Sequence, residues 1–309
     1  ACVVRAYRDT RRSGLKQGGK VWVVGTREGE RYSYEMGGID TATLPSELIV
    51  TNCPARFVES LTNLAEIASI KLSNADGEDY EAIAQRHAPD GFDEIIVLGG
   101  DASLIETLSK LLGRDAVMTI IREQPLDRMT EIDVGRVHYD AHQYVAASAS
   151  NPLGGYRHPR PLKLQQDGLC WICGAGGPMG MMHVQLAIEA SDGPRTVVCT
   201  DIDTDRLSRI PIRFGEAAKK RGCELILLNP KELGDQFEVE LNKIAPEGYD
   251  DVVCLVPVPV IISQCSRFLG KRGVFNIFAG VARGTMAQMD MNKVIENNVR
   301  YFGSSGSSI

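Results

Sequence analysis

The sequence predicts an α/β protein with two doubly wound parallel sheets in tandem, and three observations lead to that class. Residues 88–98, APDGFDEIIVL, match residues 245–255, APEGYDDVVCL, at an offset of 157 positions. Short runs that are apolar on both faces alternate with amphipathic helical segments, a pattern typical of parallel strands covered on both sides. Right-handed crossovers between such strands give a doubly wound sheet. A repeat of this length indicates a duplicated domain.

The repeat extends along both halves of the chain. Further matches at the offset of 157 are Leu112 with Leu269, Val117 with Val274, Ile120 with Ile277 and Tyr144 with Tyr301. Upstream the offset is 149, and the matches are Trp22 with Trp171, Gly25 with Gly174 and Thr51 with Thr200. The change of offset places eight extra residues between the second and third strands of the second copy.

The elements follow the same order in both copies. Predicted strands of the first copy cover residues 20–26, 46–52, 68–73, 93–100, 116–121 and 142–148. Those of the second copy cover 169–173, 196–201, 223–229, 250–258, 273–280 and 299–306, with helices over 181–190, 207–222, 231–245 and 260–270. The predicted domains are a helix in residues 1–19, a first domain over 20–150, a surface linker over 151–168 and a second domain over 169–309.

Composition excludes several classes of function. The 309 residues carry a net charge of −6 and no basic stripe, which weighs against binding to nucleic acid or a membrane surface. No apolar run approaches the roughly 18–20 residues that span a bilayer, and no secretory signal is visible. The cysteines lie mostly in apolar strands, which favours reduced core thiols in a cytoplasmic protein.

The second copy has the three features of a Rossmann-like dinucleotide site. These are glycines that let the backbone approach a pyrophosphate, a helix that begins there, and an acid that ends the next strand. Gly174, Gly176, Gly177 and Gly180 lie between strand and helix, and Asp201 follows 21 residues after Gly180. The alternative is a glycine-rich turn that serves only strand–helix packing. The spacing is one residue longer than G-x-G-x-x-G, which leaves the separate roles of Gly176 and Gly177 open.

Charge around the second strand bears on the choice of cofactor. A carboxylate at Asp201 would hydrogen-bond a free ribose 2′-hydroxyl and repel a 2′-phosphate. Asp203 and Asp205 add to that repulsion, whereas Arg206 opposes it. We therefore expect NAD rather than NADP.

The aligned loop of the first copy lacks these features. It reads GTREGER over residues 25–31, with Arg27 in place of Gly176 and with Glu28 and Glu30 where a pyrophosphate would lie. Asn52 replaces Asp201. We expect no dinucleotide there, and a degenerate structural copy; the alternative is a different ligand.

Other candidate groups give no catalytic or metal site. Cys170 and Cys173 point to opposite faces of a strand, so they cannot chelate one metal and are expected to pack in the core. His183 is expected on a helix surface, and His87 and His158 are also expected at the surface. His138 and His142 lack a third ligand, and no Ser/His/Asp grouping is present.

Several segments together resemble zinc-type medium-chain alcohol dehydrogenases. Residues 13–25, SGLKQGGKVWVVG, are similar to the segment that leads into their nucleotide-binding domain, and residues 197–210 resemble its second strand. Residues 248–262, 273–284 and 297–308 resemble the rest of that domain. The loop GAGGPMG and the terminal GSSGSS most resemble the L-sorbose-1-phosphate reductase-like branch.

The resemblance implies an NAD-dependent polyol or sugar-phosphate dehydrogenase, of which this chain is the cofactor-binding portion. The zinc ligands and most of the substrate pocket would lie in a catalytic domain whose signature is absent here, so this fragment alone is expected to be inactive. The alternative is a non-catalytic dinucleotide sensor or scaffold. The implied cofactor-binding residues are Gly174, Gly176, Gly177, Pro178, Met179, Gly180, Asp201, Ile202, Arg206, Val256, Pro257, Val258, Phe278, Ala279 and Gly280.

The last strands of the two copies predict how the copies meet. Nucleotide-binding domains of the family dimerise by pairing these strands, and an uncovered edge strand would expose its hydrogen-bonding groups. We therefore expect residues 142–148 to pair with residues 299–305, as an internal pseudo-dimer with about twelve strands in one sheet. Further oligomerisation remains compatible with the sequence.

Overall fold

The computed structural model describes residues 2–7, 14–31, 33–34, 43–157, 160–303 and 305. Its strands are β1 Lys20–Gly25, β2 Glu47–Thr51, β3 Lys71–Asn74, β4 Phe92–Leu98, β5 Leu112–Ile121, β6 Thr130–Asp133, β7 Gln143–Ala146, β8 Leu169–Cys173, β9 Thr196–Thr200, β10 Glu224–Leu228, β11 Tyr249–Cys254, β12 Leu269–Ile277, β13 Met286–Met289 and β14 Arg300–Gly303. Its α-helices are α1 Cys2–Ala6, α2 Ala55–Ala68, α3 Tyr80–His87, α4 Ala102–Ser109, α5 Val134–Tyr139, α6 Pro178–Glu189, α7 Thr204–Arg221, α8 Pro230–Leu233, α9 Gln236–Ile244, α10 Pro259–Arg267 and α11 Met291–Asn297.

Twelve of these strands form one sheet, in the order β10-β9-β8-β11-β12-β14-β7-β5-β4-β1-β2-β3. Every described pair in this sheet is parallel except the central one. There β14 meets β7 antiparallel, with Tyr301 opposite Tyr144 and Phe302 opposite Gln143. The pairing predicted between residues 142–148 and 299–305 is therefore observed. Below, the amino-terminal half means β1–β7 and the carboxy-terminal half β8–β14.

Helices cover both faces of the sheet, as a doubly wound arrangement requires. On one face, an apolar cluster runs without a break across both halves and includes the buried rings of Trp22, Tyr144, Trp171 and Tyr301. On the other face, α2 packs on the amino-terminal half, while α6 and α7 pack on the carboxy-terminal half. The central strands are thus buried on both sides, which explains why they are mostly apolar, whereas the edge strand β3, with sequence KLSN, is partly exposed.

The same buried hydrogen bond occurs in both halves. Trp22 Nε1 donates to Thr51 Oγ1 at 2.9 Å, and Trp171 Nε1 donates to Thr200 Oγ1 at 3.0 Å. These are the residues matched at the offset of 149. A buried indole N–H requires an acceptor, and in both copies the threonine at the end of the neighbouring strand supplies it.

Part of the segment predicted as a linker, residues 151–168, packs against the sheet. Its Leu162 packs on Val274 and Phe302, the residues of β12 and β14 beside the central joint. Arg160 is 8% exposed, and one guanidinium nitrogen lies 2.6 Å from Asp251 Oδ1. The segment covers the second face of the joint, where its 3₁₀ helix Pro152–Arg157 contacts β5 and β7.

Two short elements at the joint were not predicted. Strands β6 and β13 form a separate antiparallel ribbon that links the halves, from Met286 opposite Asp133 to Met289 opposite Thr130. Their residues, TEID and MAQM, lack the apolar runs of the main strands. Each is a strand because the other half of the chain provides its partner.

Several element boundaries also differ from the prediction. The helix expected over residues 231–245 is two helices, because Gly234 adopts a left-handed φ of 52° between α8 and α9. The strand expected over 250–258 ends at Cys254, before Pro257 and Pro259. Strand β12 begins at Leu269 and ends at Ile277, not at 273 and 280.

None of the described helices is both long and apolar enough to cross a membrane.

Candidate functional site

The turn from β8 to α6 brings a helix N-terminus to the carboxyl edge of the sheet. Gly174 has a φ of 86°, a conformation that favours glycine, and its N–H donates to Thr200 O at 2.9 Å. Gly177 is the N-cap of α6 and Pro178 its first residue. A proline there costs no hydrogen bond, since the first amides of a helix have no intrahelical acceptor. The N–H groups of Met179 and Gly180 follow in that first turn.

The glycines of this turn have different roles. A Cβ at Gly180 would lie 2.6 Å from Ala175 O and closer still to Gly174 O, so Gly180 permits close packing of helix and strand. A Cβ at Gly176 would lie 2.6 Å from Arg206 Cβ and 2.9 Å from Asp201 Oδ2. At Gly177 the nearest atom would be 3.7 Å away, in ordinary contact. Packing therefore explains Gly180, whereas Gly176 leaves room in front of the acid.

Asp201 is half-buried directly after β9 and holds the glycine turn. Its Oδ2 accepts from Gly176 N at 3.0 Å, and its Oδ1 accepts from Asp203 N at 3.1 Å. Asp203 caps α7 through Arg206 N at 3.0 Å and pairs with the Arg206 guanidinium at 3.3 Å. The positive charge of Arg206 is thus partly compensated by Asp203, beside the carboxylate of Asp201.

The other predicted cofactor residues lie along the same edge. The sheet reverses its strand order between β8 and β11, and ligands of open α/β sheets bind at such a switch point. Residues 256–258 follow β11, and residues 278–280 follow β12, so both segments continue the edge away from Asp201. Their exposure varies: Pro257, Val258 and Gly280 are exposed, Val256 and Phe278 half-buried, and Ala279 buried. Ile202 and Met179 are exposed at the Asp201 end.

His183 is buried, and its expected place on the helix surface is wrong. The side chain is fully covered, and its Nδ1 lies 2.5 Å from the hydroxyl of Tyr7 in α1. Its ring meets Phe278 edge-on, with centroids 4.7 Å apart. Burial lowers the pKa of His183 to about 3, so the ring is neutral near pH 7. His183 therefore fixes Phe278 through ring packing, next to the carboxyl end of β12.

The remaining histidines are also mostly enclosed. His87 was expected at the surface, but its side chain is 9% exposed and its Nδ1 lies 2.9 Å from Glu47 Oε1. His142 Nε2 lies 2.8 Å from Gly113 O, and burial together with the Arg136 charge lowers its pKa to about 4. His138 is 7% exposed and lies at the joint of the halves. His158 lies outside the described residues.

The thiols occupy the core as predicted for Cys170 and Cys173. These two belong to apolar clusters on opposite faces of the sheet. One grouping was not predicted: the Sγ atoms of Cys173, Cys254 and Cys265 lie within 4.8 Å of one another, all buried. Burial raises the pKa of the Cys265 thiol well above its ordinary value, which favours a protonated Cys265 packed in the core.

In the amino-terminal half, a guanidinium fills the edge that corresponds to the candidate site. Residues 29–31 form one 3₁₀ turn in place of α6. Arg122 Nη1 lies 2.7 Å from Glu28 Oε2 and also donates to Gly100 O, and its Nε donates to Gln124 O at 2.5 Å. Glu28 is therefore neutralised by a cation of the same half. The sequence analysis missed this contact. The available signal was the offset of 157, which places the charged Arg122 at the position of Ala279, a predicted cofactor residue of the other copy.

Comparison with known proteins identifies relatives of the chain. No protein-family model matches it. It is 34% identical over 167 residues to mannitol-1-phosphate 5-dehydrogenase of Aliivibrio fischeri, covering 48% of this chain and 39% of that protein. It is 26% identical over 156 residues to L-sorbose 1-phosphate reductase of Klebsiella pneumoniae, covering 50% and 36%. The chain is therefore similar in sequence to a polyol-phosphate dehydrogenase and to a sugar-phosphate reductase, in agreement with the predicted resemblance to the L-sorbose-1-phosphate reductase-like branch.

The relatives are longer than this chain, which spans about two fifths of their length. Among solved structures, an alcohol dehydrogenase zinc-binding domain protein from Burkholderia ambifaria matches with 23% identity and a TM-score of 0.37, over 46% of this chain and 34% of that one. A zinc-binding dehydrogenase from Sinorhizobium meliloti, solved with NADP, matches with 18% identity and a TM-score of 0.35, over 46% and 38%.

Proposed function

We propose that residues 169–309 form the nicotinamide-dinucleotide-binding domain of a polyol- or sugar-phosphate dehydrogenase. One observation carries the proposal: Gly176, Asp201 and the N-terminus of α6 meet at the switch point of the sheet. A helix N-terminus favours anions, and a carboxylate at the end of the second strand suits a ribose diol. The activities of the matched relatives agree with this assignment.

The residues present fit a dinucleotide in three respects. The amides of Met179 and Gly180 offer donors to a pyrophosphate. Gly176 has no side chain, so the space in front of the Asp201 carboxylate is left free for the ribose. Residues 256–258 and 278–280 extend the edge in the direction that the nicotinamide end would take.

The preferred cofactor in this proposal is NAD. Asp201 is half-buried and its oxygens already accept two backbone N–H groups, so it is held in place beside Gly176. A 2′-phosphate beside a fixed carboxylate would be repelled. Arg206 could offset this repulsion, but Asp203 engages its guanidinium at 3.3 Å.

The chain's own part in the reaction would be to bind and orient the cofactor. NAD, when bound, supplies the hydride acceptor for oxidation of a carbinol carbon. Substrate and zinc would be held by a catalytic domain outside residues 1–309, in keeping with the greater length of the relatives. This division predicts that the chain by itself oxidises no polyol.

We further propose that the amino-terminal half is a degenerate copy that serves as the permanent partner of the other half. The shared Trp–Thr hydrogen bond, the antiparallel joint between β7 and β14, and Arg122 in the corresponding groove support this view. The two halves would then form an internal pseudo-dimer that covers both last strands.

Titration of the whole chain with NADH tests the proposal. We expect a saturable rise in NADH fluorescence that ADP-ribose reverses by competition, because both molecules share the groups that Asp201 and α6 would hold. Absence of binding of either compound at about millimolar concentration, in the range of ordinary cofactor affinities, would contradict the proposal.

A further inference from the structure

Helix α5 of the amino-terminal half lies against β14 and against the segment that follows β12 in the carboxy-terminal half. Gly303 in β14 permits this approach, because a Cβ there would collide with the backbone of Val137 and lie 2.8 Å from His138 Cα. Gly135 does the same on the other side of the helix, where a Cβ would collide with Ala282 O. The two halves thus touch through backbone at this place, which fixes the position of α5 closely.

His138 faces the end of β12 from this helix. Its Nδ1 lies 3.2 Å from Ile277 O, the last residue of that strand. A carbonyl can only accept, so Nδ1 carries the proton and Nε2 of the neutral ring is an acceptor. A Cβ placed on Gly280 would lie 3.9 Å from this Nε2. No donor to Nε2 is found in the described part of the chain.

Neighbouring groups hold His138 and Tyr139 in place. Arg283 donates to both oxygens of Asp140, at 2.7 and 3.1 Å to Oδ1 and 3.2 Å to Oδ2, and thereby ties the segment after β12 to the end of α5. The Arg283 guanidinium also lies over the Tyr139 ring, 5.3 Å from its centre. The Tyr139 hydroxyl would lie 3.5 Å from a Cβ on Gly280.

We propose that the dinucleotide site is composite, and that His138 of the amino-terminal half accepts a hydrogen bond from the nicotinamide carboxamide held by the carboxy-terminal half. This rests on the proposed function, which places the nicotinamide along residues 278–280. Gly280 is exposed and lacks a side chain, so it leaves a path between the edge of the sheet and His138 Nε2. The degenerate half would then contribute a specificity residue to the intact one.

The repeat supplies a matched control for this assignment. At the offset of 157, Ile295 in α11 corresponds to His138 in α5. Ile295 lines a cavity of about 440 Å³ at the edge of the amino-terminal half, with Ile121 and Arg122. It therefore occupies the equivalent place beside the groove that we expect to be empty of dinucleotide.

Calorimetric titration of the whole chain with NADH and with ADP-ribose, which lacks the nicotinamide, tests the inference. We expect His138→Ala to weaken NADH binding about tenfold, the scale of one hydrogen bond, and to leave ADP-ribose binding unchanged. His138→Gln, which keeps an acceptor, should recover part of the NADH affinity and serves as the second variant if the alanine variant does not fold. Ile295→Ala should change neither affinity.

Three results would overturn the inference. NADH affinity unchanged in His138→Ala would show that the ring does not contact the nicotinamide. Equal weakening of NADH and ADP-ribose would show that His138 acts only through the fold. Failure of the unmodified chain to bind ADP-ribose would remove the proposed function itself, and the composite site with it, whereas either of the first two results leaves the proposed function intact.

Discussion

Asp201 accepts a hydrogen bond from the backbone N–H of Gly176, with 3.0 Å between Oδ2 and N. The acid that would bind the cofactor therefore also holds the glycine turn that would receive the pyrophosphate. Because the same carboxylate would bind the ribose and already binds Gly176 N–H, the conformation of the turn and the position of the ribose are coupled. Replacing Asp201 should affect cofactor choice and loop order together.

We predict that Asp201→Ala narrows or reverses the preference for NAD over NADP. The variant removes the ribose acceptor and the repulsion of a 2′-phosphate, and the change in relative binding free energy should be about 1–3 kcal/mol. Competition of NADH and NADPH for the chain measures this ratio. Glu216→Ala, which removes an exposed acid farther along α7, is the control for a general change in charge. An unchanged ratio in Asp201→Ala would remove Asp201 from the ribose site.

A second prediction concerns Gly180. Gly180→Ala should lower the free energy of unfolding by roughly 1–3 kcal/mol, because the new methyl would overlap the carbonyls of Gly174 and Ala175. Gly177→Ser is the matched control, since its Cβ has only an ordinary contact at 3.7 Å and serine is a good N-cap. Urea unfolding of both variants checks the difference. Equal stability of the two would show that helix and strand do not approach as described.

A third prediction concerns the groove of the amino-terminal half. Arg122→Ala should destabilise the chain by about 2 kcal/mol, because Glu28 would remain partly buried without its partner. It should not create a second dinucleotide site, since the 3₁₀ turn over residues 29–31 offers no helix N-terminus. Denaturant unfolding and NADH stoichiometry measure the two effects. A second equivalent site in this variant would mean that Arg122 alone blocks the groove.

The buried histidines predict a loss of stability in mild acid. Burial lowers the pKa of His183 to about 3, and burial and Arg136 lower that of His142 to about 4, both below the ordinary value of 6.5. At a pH between the folded pKa of each histidine and 6.5, the unfolded chain binds a proton that the folded chain does not. The free energy of unfolding therefore falls as the pH decreases below 6.5. Each histidine contributes at most about 1.4 kcal/mol per pH unit.

Unfolding at pH 7, 5.5 and 4.5 tests this linkage. A His142→Gln variant should lose less stability over that range than the unmodified chain, because glutamine takes up no proton. Parallel pH profiles for the unmodified chain and His142→Gln would contradict the assignment of a neutral, buried His142.

The main strands were predictable because their apolar runs are local and reach both faces. The central joint was predictable because Tyr144 and Tyr301 lie in the matched last strands, which pair between domains in the family that the sequence resembles, and an unpaired edge would expose its hydrogen-bonding groups. Strands β6 and β13 were not predictable, because their sequences acquire strand structure only by pairing with a segment about half the chain away. The domain boundaries and the separate roles in the site remain predictions.

The candidate site was predictable to the extent that it depends on neighbours in sequence. Gly176 and Asp201 follow consecutive strands, and their meeting follows from the parallel pairing of β8 with β9. The burial of His183 depends on Tyr7, and the neutralisation of Glu28 depends on Arg122. Such contacts join positions about 100 residues or more apart, so no local sequence pattern predicts them.

The stoichiometry of NADH binding tests the central claim most directly. Calorimetry on the unmodified chain should give one site, located in the carboxy-terminal half. Gly176→Asp should abolish binding, since the added carboxylate would lie beside Asp201 and in the path of the pyrophosphate. Arg27→Asp, the matched position of the other copy, should leave both affinity and stoichiometry unchanged. Two equivalent sites, or normal binding by Gly176→Asp, would contradict the account.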